Sequence, residues 1–213
     1  MPSLSAPPKD ASPGKEEWRA RFRDYRRALA DTPSYAARGT LTGSQALAHP
    51  AVARAKTVHV YWPLPAQGEV DTRPLIRALR GLDKTVVLPV VTSYDPATPT
   101  MEHRRYEGPS SLTPNRWGIP EPTESPRISP DALDIVLLPA LGVDRRGNRI
   151  GQGAGYYDTF LDTVDVPRIA LIYESCFVER LPTAPHDIPV TAVVTERGYT
   201  TVADASPTGV RSC

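Results

Sequence analysis

The chain has 213 residues and a mass of 23.2 kDa, a usual size for one domain. Its 40% hydrophobic and 23% charged residues exclude wholesale disorder, collagen-like repeats and a coiled coil. Lys plus Arg (25) against Asp plus Glu (24) leaves a net charge of +1, too weak a field to draw the chain to nucleic acid or an anionic membrane, so any bound anion must be met locally.

The 24 prolines, about twice the usual ~5%, predict long, stiff, ordered loops around a modest core. Residues 1–13 are rich in Ser, Pro and Ala and read as a disordered leader. Residues 14–203 read as a single α/β domain and 204–213 as a frayed tail. No apolar stretch at the N-terminus suits a signal peptide, and no run of ~18 apolar residues suits a membrane span. Cys176 and Cys213 form no C-x-x-C and no disulfide framework, so a reduced, cytoplasmic setting is expected.

In chain order, a helix is expected from Lys15 to Ala30, with Ser12 and Pro13 as its start signal. Trp18, Phe22, Tyr25 and Leu29 step by four, three and four, which places them on one stripe. Lys15, Arg19, Arg23, Arg26 and Arg27 fall mostly on another side. A weaker helix over 34–48, interrupted at Gly39 and Gly43, stops at Pro50. Strands are expected at 57–62 (TVHVYW), 84–91 (KTVVLPVV), 134–138 (DIVLL), 168–173 (RIALIY) and 191–195 (TAVVT), with a short one near 101–106 inside a loop-heavy region. Helices are expected at 71–79, with Pro74 in the first turn, and at 156–163. Strands alternating with helices predict a three-layer fold, a mostly parallel sheet with helices on both faces. Ligands in such sheets bind beyond the carboxyl ends of the strands.

The richest stretch is 137–158, LLPALGVDRRGNRIGQGAGYYD. Gly151, Gly153 and Gly155 alternate just ahead of a predicted helix, so backbone N–H groups can converge on an anion beside the helix N-terminus. Arg149 can neutralise a phosphate oxygen through two N–H groups. The run lacks the Lys-Ser/Thr ending of a P-loop and the dinucleotide spacing. The same glycines would suit a plain surface loop; Arg149, Tyr156-Tyr157-Asp158 and the buried strand before them favour a phosphate cradle.

Lys15 and Arg19 are one helical turn apart, so they are either a solvated face or two contacts to one polyphosphate. Asp158 and Asp187 are hard oxygen donors that suit Mg²⁺, although Asp158 alone would equally suit a helix first turn. Trp117 sits in a long loop, either over a flat heterocycle or as a lid on the core. Trp62 and Glu69 fall at the binding end of the sheet. His49, His59, His103 and His186 show no zinc spacing, there is no G-x-S-x-G, and Cys176 reads as core.

Taken in order, Lys15-x-x-x-Arg19, GEVDT at 68–72, WGIPEP at 117–122, LLPALGVDRRGNRIGQGAGYYDTFL at 137–161 and LPTAPHD at 181–187 resemble the 5-formyltetrahydrofolate cyclo-ligase family, also called 5,10-methenyltetrahydrofolate synthetases. The resemblance implies a three-layer α/β fold and ATP-dependent closure of 5-formyltetrahydrofolate to 5,10-methenyltetrahydrofolate, with release of ADP and phosphate. It implies ATP contacts from Lys15, Arg19, Arg149, Ile150, Gly151, Gln152, Gly153, Ala154, Gly155, Tyr156 and Tyr157, with Arg149 as the catalytic group. Folate contacts are implied for Trp62, Glu69, Trp117 and Tyr157, and Mg²⁺ at Asp158 and Asp187. The partners implied are small molecules, a reduced folate and ATP, for a monomer or small homo-oligomer. Val143, Gln152 and Ala154 depart from the residues common in the family at those places. Two alternatives remain open: an ATP-dependent activator of another amide or formamide on the same fold, or a non-catalytic nucleotide- or folate-binding protein.

Overall fold

The computed structural model describes residues 13–185 and 187–202. The expected leader as far as residue 12, the last residue of the expected domain (203), the expected tail over 204–213 with Cys213, and His186 lie outside them. In chain order the structure runs α1 (Lys15–Ala30), α2 (Ser34–Ala48), α3 (Pro50–Arg54), β1 (Thr57–His59), α4 (Arg73–Gly81), β2 (Thr85–Ser93), β3 (Thr100–Arg105), β4 (Thr113–Pro114) and β5 (Pro120–Glu121). It continues through β6 (Ile135–Pro139), β7 (Gly142–Asp144), β8 (Arg149–Ile150), α5 (Tyr156–Leu161), β9 (Arg168–Leu171), β10 (Phe177–Val178), β11 (Ala192–Thr195) and β12 (Gly198–Thr201).

Seven strands form the main sheet in the order β12-β11-β9-β6-β1-β2-β3. The inner pairings, β11 with β9, β9 with β6, β6 with β1 and β1 with β2, are parallel, and β12 and β3 close the two edges antiparallel. The expected three-layer architecture is therefore present. Alternation along each strand sorts the core into two. Val136, Leu138, Ala170 and Val193 pack on one face with Trp18, Phe22, Tyr25 and Leu29 of α1 and Phe160 of α5. Ile135, Leu137, Ile169 and Val194 pack on the other with Val52 of α3 and Leu75, Ile76 and Leu79 of α4.

Several boundaries move for local reasons. The first strand ends at His59 rather than 62, because the chain turns away to bond elsewhere: Tyr61 Oη donates to the Val70 carbonyl (3.2 Å) and Thr72 Oγ1 to the Tyr61 carbonyl (2.8 Å). That leaves Thr72 unavailable as a cap, and α4 starts at Arg73, whose N–H is met by Asp71 Oδ1 at 3.1 Å. Gly39 and Gly43 do not interrupt α2. A Cβ on Gly39 would come within 3.0 Å of Asp71, and one on Gly43 within 3.3 Å of Leu75, so the two glycines let α2 lie close to α4. Helix α5 covers six residues and stops short of 163; Thr163 Oγ1 bonds back to the Phe160 carbonyl at 2.7 Å, a local bond that competes with helix continuation. The edge hairpin β11–β12, helix α3 and the small sheet β10-β7-β8 were not expected from the sequence.

Leu138, fully buried on the central strand β6, tests the first core: Leu138→Ala is expected to lower the unfolding free energy by about 2–5 kcal/mol, read as a lower urea midpoint at an unchanged slope.

Candidate active site

Strands β1 and β6 are neighbours at the middle of the sheet, and the chain leaves them toward opposite flanks, which opens a crevice at their carboxyl ends. A cavity of about 680 Å³ occupies it, a volume suited to drug-sized or cofactor-sized ligands. Tyr61 and Trp62 after β1, Pro139–Leu141 at the end of β6, one side of α1 and residues 149–158 line it.

Helix α1 supplies a cationic wall. Lys15, Arg19 and Arg23 recur every four residues, so the packed stripe of Trp18, Phe22 and Tyr25 turns all three toward the cavity. Lys15 Nζ donates to both oxygens of Asp187 (2.7 and 2.6 Å). Arg19 Nε donates to the Gly151 carbonyl at 3.2 Å, and its Nη1 pairs with Glu16. Arg23 donates to the carbonyl and the side-chain oxygen of Gln152, both at 3.1 Å. The glycine loop is thus tied to α1 through its carbonyls. Gly153 and Gly155 have φ of 99° and 80°, a backbone that side-chain-bearing residues adopt only with strain. Tyr156 Oη, donating to the Ser93 carbonyl at 2.8 Å, pins the far end of the loop. From inside, Arg149 donates to Asp158 Oδ1 (2.6 Å) and the Ile188 carbonyl (2.8 Å).

The opposite wall is aromatic and acidic. Trp117 is half exposed at the mouth, its ring edge-on to Tyr94 at 4.6 Å and Tyr156 at 6.1 Å, while the Arg116 guanidinium lies 4.0 Å over Tyr94. Trp62 leans on Tyr106 at 5.7 Å. Burial raises the Glu69 carboxyl above the usual carboxylate range, opposed by Arg26. Glu121, buried and accepting from the Val91 N–H at 3.1 Å, is raised by burial as well. Tyr157 carries a buried hydroxyl with no hydrogen-bond partner, and burial holds it in the neutral form. His59, with both ring nitrogens unpartnered, meets the Tyr157 ring edge-on at 5.9 Å, and His103 packs against His59 at 5.1 Å. Burial keeps these imidazoles neutral and pushes His103 down to about 4.

Every residue singled out in the sequence lines this one cavity: Lys15, Arg19, Trp62, Glu69, Trp117, Arg149, the 150–157 run, Asp158 and Asp187. The positive charge comes chiefly from α1 and Arg149, since a six-residue helix contributes little dipole. Asp158 and Asp187 each hold a cation partner, Arg149 and Lys15. Among the described residues no group of three or more His, Cys, Asp or Glu side chains is placed to hold a metal ion. Arg23, Arg26, Gln67 and Glu121 also line the cavity and were not picked out as site residues. For Arg23 the four-residue spacing from Lys15 and Arg19 was the available signal.

The sequence model of the 5-formyltetrahydrofolate cyclo-ligase family matches residues 11–196. This chain belongs to that family. Similar proteins include the 5-formyltetrahydrofolate cyclo-ligase of Escherichia coli K12, 34% identical over 180 residues that cover 82% of this chain and 96% of that protein. The cyclo-ligase of Mus musculus is 28% identical over 73% of this chain and 81% of its own length. Among solved structures, the 5,10-methenyltetrahydrofolate synthetase of Aquifex aeolicus superposes with a TM-score of 0.72 at 28% identity, covering 93% of this chain and 95% of that one. Within this cyclo-ligase fold the departures at 143 and 152 have physical settings. Val143 is fully buried in the core that Phe22 shares. Gln152 is held between Arg23 and Gln67, the latter at 3.2 Å, so α1 supplies a cation beside a neutral loop position.

Proposed function

We propose that the cavity binds ATP along the α1–glycine-loop wall and 5-formyltetrahydrofolate along the Trp117–Glu69 wall, and converts them to 5,10-methenyltetrahydrofolate, ADP and phosphate. The observation that carries this reading is the shared cavity: the cationic wall and the aromatic-acidic wall face each other across one space, so a terminal phosphoryl group and a formyl oxygen can meet without water between them.

An N5-formyl group is amide-like, and its oxygen is a poor leaving group. Transfer of the γ-phosphoryl group to that oxygen breaks the bond to ADP and forms an imidoyl-type phosphate. N10 then attacks the former formyl carbon, the C–O bond breaks, and phosphate leaves with the N10 proton. Such transfer depends on positioning and on neutralising charge more than on a protein nucleophile. Lys15, Arg19, Arg23 and Arg149 supply the charge, and the N–H groups of the 151–155 run supply preorganised donors. Arg149 is the catalytic candidate because it enters from the buried side, where solvent screens its charge least.

The donor set fits Mg²⁺ unequally. Mg²⁺ takes one or two carboxylates and completes its shell with phosphate oxygens and water. Asp158 is partly exposed, its Oδ1 engaged by Arg149, and is the better ligand. Both Asp187 oxygens are met by Lys15, and Oδ2 also by the Ala184 N–H at 2.7 Å, so Asp187 acts first by holding Lys15. When bound, the ion would neutralise β- and γ-phosphate oxygens. A reducing compartment suits the buried free thiol of Cys176.

Two sets of kinetics test the assignment. Asp158→Asn, which keeps the side-chain volume, and Arg149→Ala should each lower folate-dependent ADP release by ~10²–10³-fold; ordinary turnover in both would remove the phosphate site. Because Arg149 is buried and bonded to the Ile188 carbonyl, its variant should also lose about 1–3 kcal/mol of unfolding free energy, read by urea titration. Trp117→Ala should raise the folate KM several-fold more than the ATP KM, and equal effects would argue against stacking on the pterin.

A further inference from the structure

Arg26 reads from the sequence as one more cation on the solvated side of α1. In the fold it is 3% exposed, and it reaches the folate wall of the cavity rather than the phosphate wall. Its Nε donates to the Gly68 carbonyl at 3.1 Å, and its Nη2 lies 3.4 Å from Glu69 Oε1, close enough for charge attraction but short of hydrogen-bond geometry. The other carboxylate oxygen, Oε2, accepts from the Leu64 N–H at 3.0 Å. A small cavity of about 10 Å³ opens among Arg26, Tyr61, Glu69 and Tyr173, room for one water at most.

The remaining groups that face Glu69 are phenols. Tyr35 from α2 and Tyr173 beyond β9 donate to its main-chain carbonyl at 2.6 and 3.2 Å. Tyr61 beyond β1 and Tyr157 on α5 lie within its electrostatic reach. Burial keeps all four neutral. Among the described residues Arg26 alone makes an ion pair with Glu69.

We propose that Arg26 is a positioning residue for the folate: its guanidinium holds the Glu69 carboxylate ionised and aimed at the paired N–H donors of the pterin ring. The proposal rests on the reading of Glu69 as a folate contact. A reduced pterin presents its amino group and a ring N–H side by side, and an ionised carboxylate accepts both while keeping lone pairs for Leu64 and Arg26. A carboxyl this buried protonates when its cation is removed. Once protonated it carries a donor of its own, and the pairing with two N–H groups fails.

The sign of the pH effect follows. Folate-limited kcat/KM is full above the Glu69 pKa and falls as pH drops through it. Loss of the guanidinium, which now opposes the effect of burial, raises that pKa further and moves the acid limb up in pH. Arg26→Gln, which keeps a donor for the Gly68 carbonyl, should therefore show a folate KM raised about ten-fold near neutrality, recovering toward alkaline pH, with ATP KM and kcat within about two-fold of the parent. Arg26→Lys should keep the parental limb. The double variant Arg26→Gln/Glu69→Gln contains no unpaired buried charge and covers the case in which Arg26→Gln fails to fold; its folate KM should equal that of Glu69→Gln alone. A loss equal at every pH, or a further additive loss in the double variant, would overturn the role of Arg26 alone. An unchanged folate KM in Glu69→Gln would overturn the Glu69 contact, and the proposal with it.

Discussion

Everything at the site depends on how one helix is seated. Helix α1 buries Trp18, Phe22, Tyr25 and Leu29 against the sheet, about 1.5–3 kcal/mol for each large apolar side chain. That burial fixes the rotation of the helix. Once the rotation is fixed, the four-residue spacing of Lys15, Arg19 and Arg23 sets three cations along the mouth of the crevice. The same hydrophobic stripe that stabilises the fold therefore aims the cationic wall of the cavity. A change in the stripe, such as a shift by one residue, would rotate these cations by about 100° and empty the wall without touching any of them.

The glycine loop is held from outside by α1 and from inside by Arg149. Arg19 and Arg23 bind its carbonyls. Tyr156 anchors the loop to Ser93 on β2. A loop tied at three places loses little further freedom on binding, which is where rate and affinity are gained when chemistry depends on alignment. The acids follow the same logic: Asp187 holds Lys15, Asp158 holds Arg149 and Glu69 is held by Arg26. Each long cation thereby has a defined direction.

The legible parts of the sequence were those with a period or a composition that leaves few choices. The 4-3-4 stripe of α1 and the all-apolar β6 each had one sensible reading; the Gly-Gln-Gly-Ala-Gly run ahead of Tyr156 suited a surface loop as well as a phosphate cradle until Arg149 and the resemblance favoured the cradle. The missed parts turn on tertiary context. Arg26 looks like Arg27 from the sequence, yet one is buried against Gly68 and the other carries an exposed ion pair with Asp24; nothing local separates them. Gly39 and Gly43 read as helix breakers because propensity prices a glycine without its neighbour, and here the neighbour is a second helix. Strands β7, β8 and β10 have two or three residues each, too short for any alternation to register.

The absence of a convincing nucleophile in the sequence also has a structural counterpart. Cys176, the one cysteine among the described residues, is fully buried, and burial pushes its thiol up to about 12, so the reactive thiolate is not available at ordinary pH. The tyrosines near Glu69 are held neutral in the same way. What the cavity offers is basic side chains on one wall and, on the other, a carboxyl group beside the Arg26 guanidinium. Such a site suits a reaction in which the two substrates supply the nucleophile, the electrophile and the leaving group between them. The protein's share is then to fix distance, direction and charge.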